Sequence, residues 1–408
     1  MTTDVLAALA EPEIRRDPYP LLARLREQDP VHRTSKGFYL LTRHADVKWT
    51  FEQTGTVFLG PDRAQLAAQY PEAERHRAQQ LFLNSIAMQN PPDHGRLRAP
   101  MVRAIHAASS SGLAARVETR CEELLDAISE PLRDGAVVDL HERLSLPLST
   151  RVFADLLGVP DVDAPRLAGL ITDIYPATMP LANGRAQSYD EVFAKADSAA
   201  EELCDHLVDL FDQRRDQPCD DIVSALVAQH DRNSAELSDD ELIAMVWLLW
   251  VAGVETAAAG IDHGLRAAMI HRDHLRLDDG AAFGGEALRL YGSSLFAGVV
   301  RVATEDVRFG DVTIPVGSDV RPSTAAANRD PAVFADPDRF DPSRSQQESM
   351  SFGGGMRDCF AAPVARTELS VTLRRTRARF PELVAAGEPV WHQGVATRLM
   401  RTLPARLP

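Results

Sequence analysis

The chain has 408 residues, of which 45% are hydrophobic and 25% charged, with a formal net charge of -15. That apolar fraction supports a large buried core and excludes a disordered chain, which combines high charge with few apolar residues. The acidic balance argues against a nucleic-acid binder, for want of a basic patch, and leaves no polybasic anchor for an anionic membrane.

Taken in order, the N-terminal MTTDVLAALAEPEIRRD has neither a basic n-region nor a long apolar h-region, so no signal peptide is expected. Residues 15–30 read as a short helix, and 36–47 as one or two strands leading to a turn. Residues 95–275 read as mostly helical, with breaks near 160–165 and 214–221. The longest uncharged apolar run, residues 242–254, is too short for a membrane span and suits a buried core helix. Beyond about residue 295 the pattern becomes short β-type runs at 299–302, 307–309 and 312–316, with turns at Gly310 and Gly317. Residues 328–357 form a long irregular segment of the kind that is usually functional. A last helix is expected over 362–373, and short strands over 388–405. Four cysteines (Cys121, Cys204, Cys219, Cys359) with no C-x-x-C pair argue against a disulfide framework or a structural zinc, and a reducing cytoplasm is the default. No repeat, low-complexity tract or linker interrupts the chain. The expectation is a mainly α protein with small β-sheets, in one domain spanning 1–408.

Two segments carry chemistry. Ser238-Asp239-Asp240-Glu241 is a capping box that opens a helix running to about residue 270. Apolar nearly all round at Trp247–Val251, that helix then reads Ala252-Gly253-Val254-Glu255-Thr256. A carboxylate beside a hydroxyl in such a setting needs a partner or a use. It is either a packing detail, with Glu255 on an arginine and Thr256 bonded back to a carbonyl, or a proton-delivery pair at a buried redox centre. Gly253 lets something approach the backbone closely. The second segment is Phe352-Gly353-Gly354-Gly355-Met356-Arg357-Asp358-Cys359-Phe360-Ala361. A lone cysteine is ordinarily an inert buried thiol. Here glycines permit a tight loop beneath the sulfur, and a helix start with free amides favours the thiolate.

This second segment resembles the heme-binding loop of cytochromes P-450 at every defined position, from Phe352, Gly353 and Gly355 through Arg357 and Cys359 to Ala361, which stands where glycine is commoner. The resemblance extends along the chain. Glu286 and Arg289 match a Glu-x-x-Arg pair, and Asp336-Pro337-Asp338-Arg339-Phe340 is similar to the Pro-x-Arg-Phe segment, whose Arg339 side chain would pack on that pair in a structural role. Pro91-Pro92-Asp93-His94-Gly95-Arg96-Leu97-Arg98 resembles the start of the helix crossing the heme edge.

The resemblance implies the mainly helical P-450 fold, with heme b between the long helix and the cysteine loop. It implies Cys359 as the axial iron ligand and His94, Arg98, Arg301 and Arg357 on the heme propionates. Glu255 and Thr256 would handle protons while O2 is activated and a small organic substrate is oxidised, by hydroxylation first of all. An apolar pocket would be lined by Leu248, Val251, Ala252, Leu295, Phe296, Val395 and Ala396. The segment between Arg289 and Arg301 is slightly longer than the family pattern, which puts its register in question. Electrons from NAD(P)H would arrive through an iron–sulfur ferredoxin and its reductase, docking near Arg103. The substrate would be a natural-product intermediate, free or carrier-bound. Other chemistry on the same fold (aryl or C–N coupling, a peroxygenase) and a non-catalytic heme- or ligand-binding protein stay open as alternatives.

Overall fold

The fold is laid down around one long helix and the partners it buries. The structure is a computed structural model that describes residues 4–62, 65, 75–110, 112–178, 189–275 and 280–408. Its helical body comprises α1 (Asp93–Ser110), α2 (Leu113–Arg133), α3 (Leu146–Leu157), α4 (Ala164–Thr178), α5 (Tyr189–Asp216), α6 (Ile222–Arg232), α7 (Asp239–Ile270), α8 (Gly280–Tyr291) and α9 (Ala362–Arg379). A single π-helical turn, His141–Ser145, leads into α3.

The capping box forms as the sequence suggests. The Glu241 backbone donates to the Ser238 hydroxyl, and the Ser238 backbone donates to the Glu241 carboxylate at 2.9 Å. From there α7 runs through the main apolar cluster, with Trp247 and Trp250 almost wholly buried. Among the described residues it is the one helix long and apolar enough to cross a membrane, and most of its apolar window is buried inside the protein. It is therefore the core of this fold.

Small residues set how closely α7 is approached. A Cβ on Gly253 would lie 2.3 Å from the Phe153 ring of α3. The close approach anticipated at Gly253 is thus made by a neighbouring helix. Further along, a Cβ on Gly264 would lie 2.3 Å from Leu369 of α9, and one on Gly284 of α8 would lie 3.0 Å from the same leucine. Leu369 is a knob seated between two glycines, which brings α7, α8 and α9 together.

Helix α9 ends at Arg379, six residues beyond the expected 373, because ion pairs replace the apolar pattern there. Arg375 pairs with Glu118 and Glu122 of α2, and Arg379 with Glu122 at 2.6 Å and Asp126 at 2.5 Å.

Strands β1 (Val31–Arg33), β2 (Tyr39–Leu41), β3 (Phe58–Leu59), β4 (Arg301–Ala303) and β5 (Asp319–Pro322) form one sheet in the order β1-β2-β5-β4-β3. The β2–β5 pair is parallel and the other neighbours are antiparallel. Arg301 opens β4 opposite Val320, while Ala303 faces Phe58. Val307–Phe309 and Val312–Ile314 make a separate hairpin, and short pairings of Val138–Asp139, Val384–Ala385, Val390–Trp391, Met400–Thr402 and Pro404–Arg406 close the C-terminal end. From Asn328 to Gly354 the chain has neither helix nor strand, as the long irregular segment requires.

Gly264→Ala should destabilise the protein by about 1–3 kcal/mol through overpacking against Leu369. Thermal unfolding of the variant alone and with Leu369→Ala checks this, since the smaller partner should relieve the strain.

Candidate active site

The cysteine loop closes through two left-handed glycines. Gly353 has φ 73° and Gly355 has φ 66°, and a Cβ on Gly355 would lie 2.0 Å from the Phe51 carbonyl oxygen. Gly354 is extended and packs on the Phe51 ring. The Cys359 backbone donates to Phe352 O at 3.0 Å, turning the chain so that α9 starts at Ala362.

Cys359 exposes surface, although protein closes around its sulfur. Desolvation raises its thiol above the ordinary value, against hydrogen bonds from the Ala361 and Ala362 backbones and the charge of Arg98. The amides expected to favour the thiolate are present at the sulfur, and burial opposes them.

On α7, otherwise buried through its middle turns, Ala252 and Thr256 expose surface, one helical turn apart, with Leu248 one turn before them. Surface exposed on the mid-length of a core helix faces an internal cavity. The Thr256 hydroxyl donates to Ala252 O at 2.5 Å, the local bond-back anticipated as one of two readings. Among the described residues Glu255 meets no arginine. Thr172 of α4 donates to it at 3.4 Å, and it lies in the field of His141. Desolvation raises its carboxyl, with His141 and Thr172 pulling the other way.

Positive charge gathers next to the cysteine loop. Arg301 is buried, donates to Thr54 Oγ1 at 3.0 Å and Val299 O at 2.8 Å, and lies over the Phe51 ring. Arg357 donates to Ala87 O at 2.6 Å, Gln89 O and Asn90 Oδ1. Neither has a carboxylate partner among the described residues. Desolvation and then Arg357 push Arg301 down to about 9, and desolvation pushes Arg357 down to about 10. His94, in the first turn of α1, is pushed down to about 4 by desolvation, then by Arg357 and Arg98. Arg98 differs: it is paired with the Asp358 carboxylate and donates to the Asp358 carbonyl at 3.0 Å, beside Cys359. Buried Arg301 and His94, both in the field of half-buried Arg357, with no carboxylate on either arginine among the described residues, fit a ligand that brings two carboxylates.

The Glu286–Arg289 pair is wholly buried and bidentate, with both bonds at 2.7 Å. Arg289 also donates to the carbonyls of Asn328, Pro337 and Arg339, and Glu286 accepts from the Asp341 backbone at 3.0 Å. The pair thereby clamps the irregular segment before the cysteine loop. The expected Arg339 side chain is not in it. Arg339 is exposed and contributes its carbonyl, while Arg344, five residues later, lies 3.6 Å from Glu286. A turn at Asp341–Ser343 reverses the chain and brings the later arginine inward.

The expected pocket residues divide. Leu248 and Val251 belong to the main core, while Leu295, Phe296 and Ala396, with Val395 against them, pack with Val5, Leu9, Leu22 and Phe38 near the N-terminus. Leu295, Phe296 and Ala396 are buried in that second cluster. In the segment after Arg289, Gly298 is exposed while Leu295 and Phe296 are buried. Several contributors carried no local signal. Asn90 and Phe51 order the loop around Arg357 and Arg301, Arg96 pairs with Asp93 at 2.9 Å and Glu241 at 2.6 Å, and His141 binds Asp262 at 2.7 Å.

A cysteine with exposed surface in a glycine loop, an exposed face on a core helix and cations without counter-charge among the described residues are the features a heme-thiolate protein needs. The comparisons with known proteins agree. The Cytochrome P450 family profile matches residues 58–276 and 282–391. Cytochrome P450 BJ-3 of Bradyrhizobium diazoefficiens is 39% identical, covering 99% of this chain and 96% of its own. The 6-deoxyerythronolide B hydroxylase of Saccharopolyspora erythraea is 33% identical, covering 83% and 80%. The crystal structure of Mycobacterium smegmatis CYP164A2 superposes with a TM-score of 0.83 at 30% identity, covering 99% of both chains. This chain belongs to the cytochrome P450 family and has its fold. It is a monooxygenase that uses heme iron, O2 and NAD(P)H-derived electrons delivered by redox partners.

Glu286→Gln should lower stability by about 3–5 kcal/mol by stranding Arg289, whereas Arg339→Ala should stay within about 0.5 kcal/mol. Denaturant melts with heme retention as a second readout distinguish the two.

Proposed function

We propose that this single heme domain hydroxylates a small apolar natural-product intermediate in the cytoplasm. The observation that carries the assignment of the site is the basic cluster of Arg301, Arg357 and His94 beside the Cys359 loop. Cys359 is the iron ligand in this reading. Arg301, Arg357 and His94 hold the two propionates, with Arg98 shared between a propionate and Asp358. Bound there, the heme supplies O2 activation and insertion of one oxygen atom into a substrate C–H bond.

The chain's own residues do the rest. Leu248, Ala252 and Thr256 present a narrow, mostly apolar stripe to the substrate, which excludes water from the reacting carbon. Thr256 keeps its hydroxyl on Ala252 O at rest and is free to rotate toward the cavity. Glu255 holds a proton more readily than an exposed carboxyl because of its desolvation, and it lies one residue from Thr256 on the chain. It serves as the store from which protons reach the cavity. The named activity of the 6-deoxyerythronolide B hydroxylase supports the choice of a natural-product substrate.

Electrons come, in this reading, from a ferredoxin. Arg98 ties α1 to Asp358, so α1 crosses the cysteine side of the protein, and Arg103 is exposed on it. Arg103→Glu should slow reduction by a ferredoxin about tenfold or less at low salt, with a smaller effect at high salt. Stopped-flow reduction at two ionic strengths measures this.

The central test is spectroscopic. Wild-type protein reconstituted with hemin should give the thiolate-type ferrous–CO absorption, and Cys359→Ser should lose it. Arg301→Leu should keep the band but bind hemin more weakly. Titration with macrolactone intermediates should move the ferric heme from low to high spin. A wild-type protein with no thiolate band would refute the site.

A further inference from the structure

Behind Glu255, away from the cavity, α7 carries a second carboxylate that the proposed reaction does not use. Asp262 is fully buried, seven residues after Glu255, and therefore on the same face of the helix two turns on. No arginine or lysine pairs with it among the described residues. Its partner is His141, whose Nδ1 lies 2.7 Å from Asp262 Oδ2. The other Asp262 oxygen faces the neighbouring buried Ser145 hydroxyl, and no further polar side chain reaches it among the described residues. The His141 side chain retains 14% exposure, against none for Asp262, so it reaches from solvent into the core.

The backbone around His141 is built to hold it there. His141 opens the π-helical turn His141–Ser145, a form that often marks functional positions. Asp139 accepts from the His141 backbone at 3.0 Å and the Leu403 backbone at 2.8 Å, which pins that turn to the C-terminal strands. With Nδ1 on Asp262, Nε2 is the nitrogen left to exchange protons.

We propose that His141, oriented by Asp262, is a positioning residue that passes protons from solvent to Glu255. In the net step the imidazolium loses one proton and the Glu255 carboxylate, in whose field it lies, gains one, leaving a neutral imidazole and a neutral acid. Solvent then reprotonates Nε2, and no electrons move. This rests on the proposed role of Glu255 as the proton store.

The groups facing His141 are Asp262 and Glu255 from α7, Asp139 from the strand before it, and His392 near the C-terminal strands, itself beside Arg401. Desolvation lowers the His141 value, but Asp262, Glu255 and Asp139 together raise it above that of an ordinary histidine. The donor form is therefore present below the raised value and is lost as pH rises through it.

The experiment uses heme-loaded full-length protein with NADPH, a plant-type ferredoxin and its reductase in saturating amount, and O2 as the probe. Oxygen consumption is recorded against pH in H2O and D2O, and difference infrared spectroscopy follows the Glu255 carboxyl, assigned with Glu255→Gln. His141→Gln should slow consumption about tenfold or more, with a larger solvent isotope effect. It should also move the Glu255 titration up by about one pH unit, because a positive neighbour is lost. Asp262→Asn should shift the alkaline limb of the profile to lower pH, since His141 loses the partner that holds its value up. In the Glu255→Gln background His141→Gln should add little. The ferrous–CO thiolate band reports whether each variant is folded.

An unchanged isotope effect and carboxyl titration in His141→Gln, with Glu255→Gln still slow, would overturn the relay and leave the proposed function standing. Additive losses in the double variant would overturn it too. A Glu255→Gln protein as fast as wild type would instead remove the proton store, and the relay with it. If His141→Gln does not fold, an unmoved alkaline limb in Asp262→Asn decides against the relay.

Discussion

Positive charge buried without its counter-charge is the constraint on which the site depends. Arg301 and Arg357 each lose water on folding and receive carbonyl oxygens, a hydroxyl and an aromatic face in return. Those contacts are neutral, so the charges stay uncompensated: burial lowers both arginines, and Arg357 lowers Arg301 further. A folded protein tolerates this arrangement when a dianionic ligand completes it. The same need explains why Phe51, Thr54 and Asn90, scattered over the N-terminal quarter of the chain, converge on two arginines from its last third. It also explains Gly355, whose missing side chain lets the cysteine loop lie directly on the Phe51 carbonyl.

Helix α7 serves two purposes with different faces. On the packing side, Gly253 and Gly264 admit Phe153 and Leu369. On the cavity side, Ala252 and Thr256 leave room for a ligand. Its acidic residues follow a third direction, from Glu255 to Asp262. Glu241 at its N-terminus is both the capping-box acid and the partner of Arg96 on α1, which ties the helix start to the region of His94. A rigid element with its ends and faces each engaged by a different neighbour holds a reacting group in place better than a loop can.

Buried acid is handled in three ways. Glu286 is neutralised by a bidentate arginine and clamps the segment leading to the cysteine. Glu368 of α9 has no cation, accepts from Ser149 at 2.7 Å, and is pushed up to about 7 by desolvation. Asp262 has a histidine. The first arrangement sets a fixed cation against the acid, while burial raises the carboxyls of the other two above the ordinary range. That difference separates scaffold from proton chemistry more clearly than burial does.

Local patterns in the sequence determined the elements that depend on near neighbours. The Ser238–Glu241 box, the apolar run of α7, the glycines before Cys359, the Glu286–Arg289 spacing and the β-type runs near 301–314 are all written within a few residues, and each is present in the fold. The convergence of His94, Arg301 and Arg357 was legible through family resemblance, because spacing alone says nothing about residues 56 to 263 positions apart. Tertiary structure alone decided the rest. It replaced the Arg339 side chain by Arg344, because a turn at residues 341–343 chooses which arginine points inward. It sent Leu295 and Phe296 to the N-terminal cluster, because they have apolar surface to bury there. It gave Glu255 a threonine and a histidine in place of an arginine, and it raised the Cys359 thiol despite its amides. In each case the outcome turned on desolvation and on which distant side chain fills the space, and both are properties of the packed molecule.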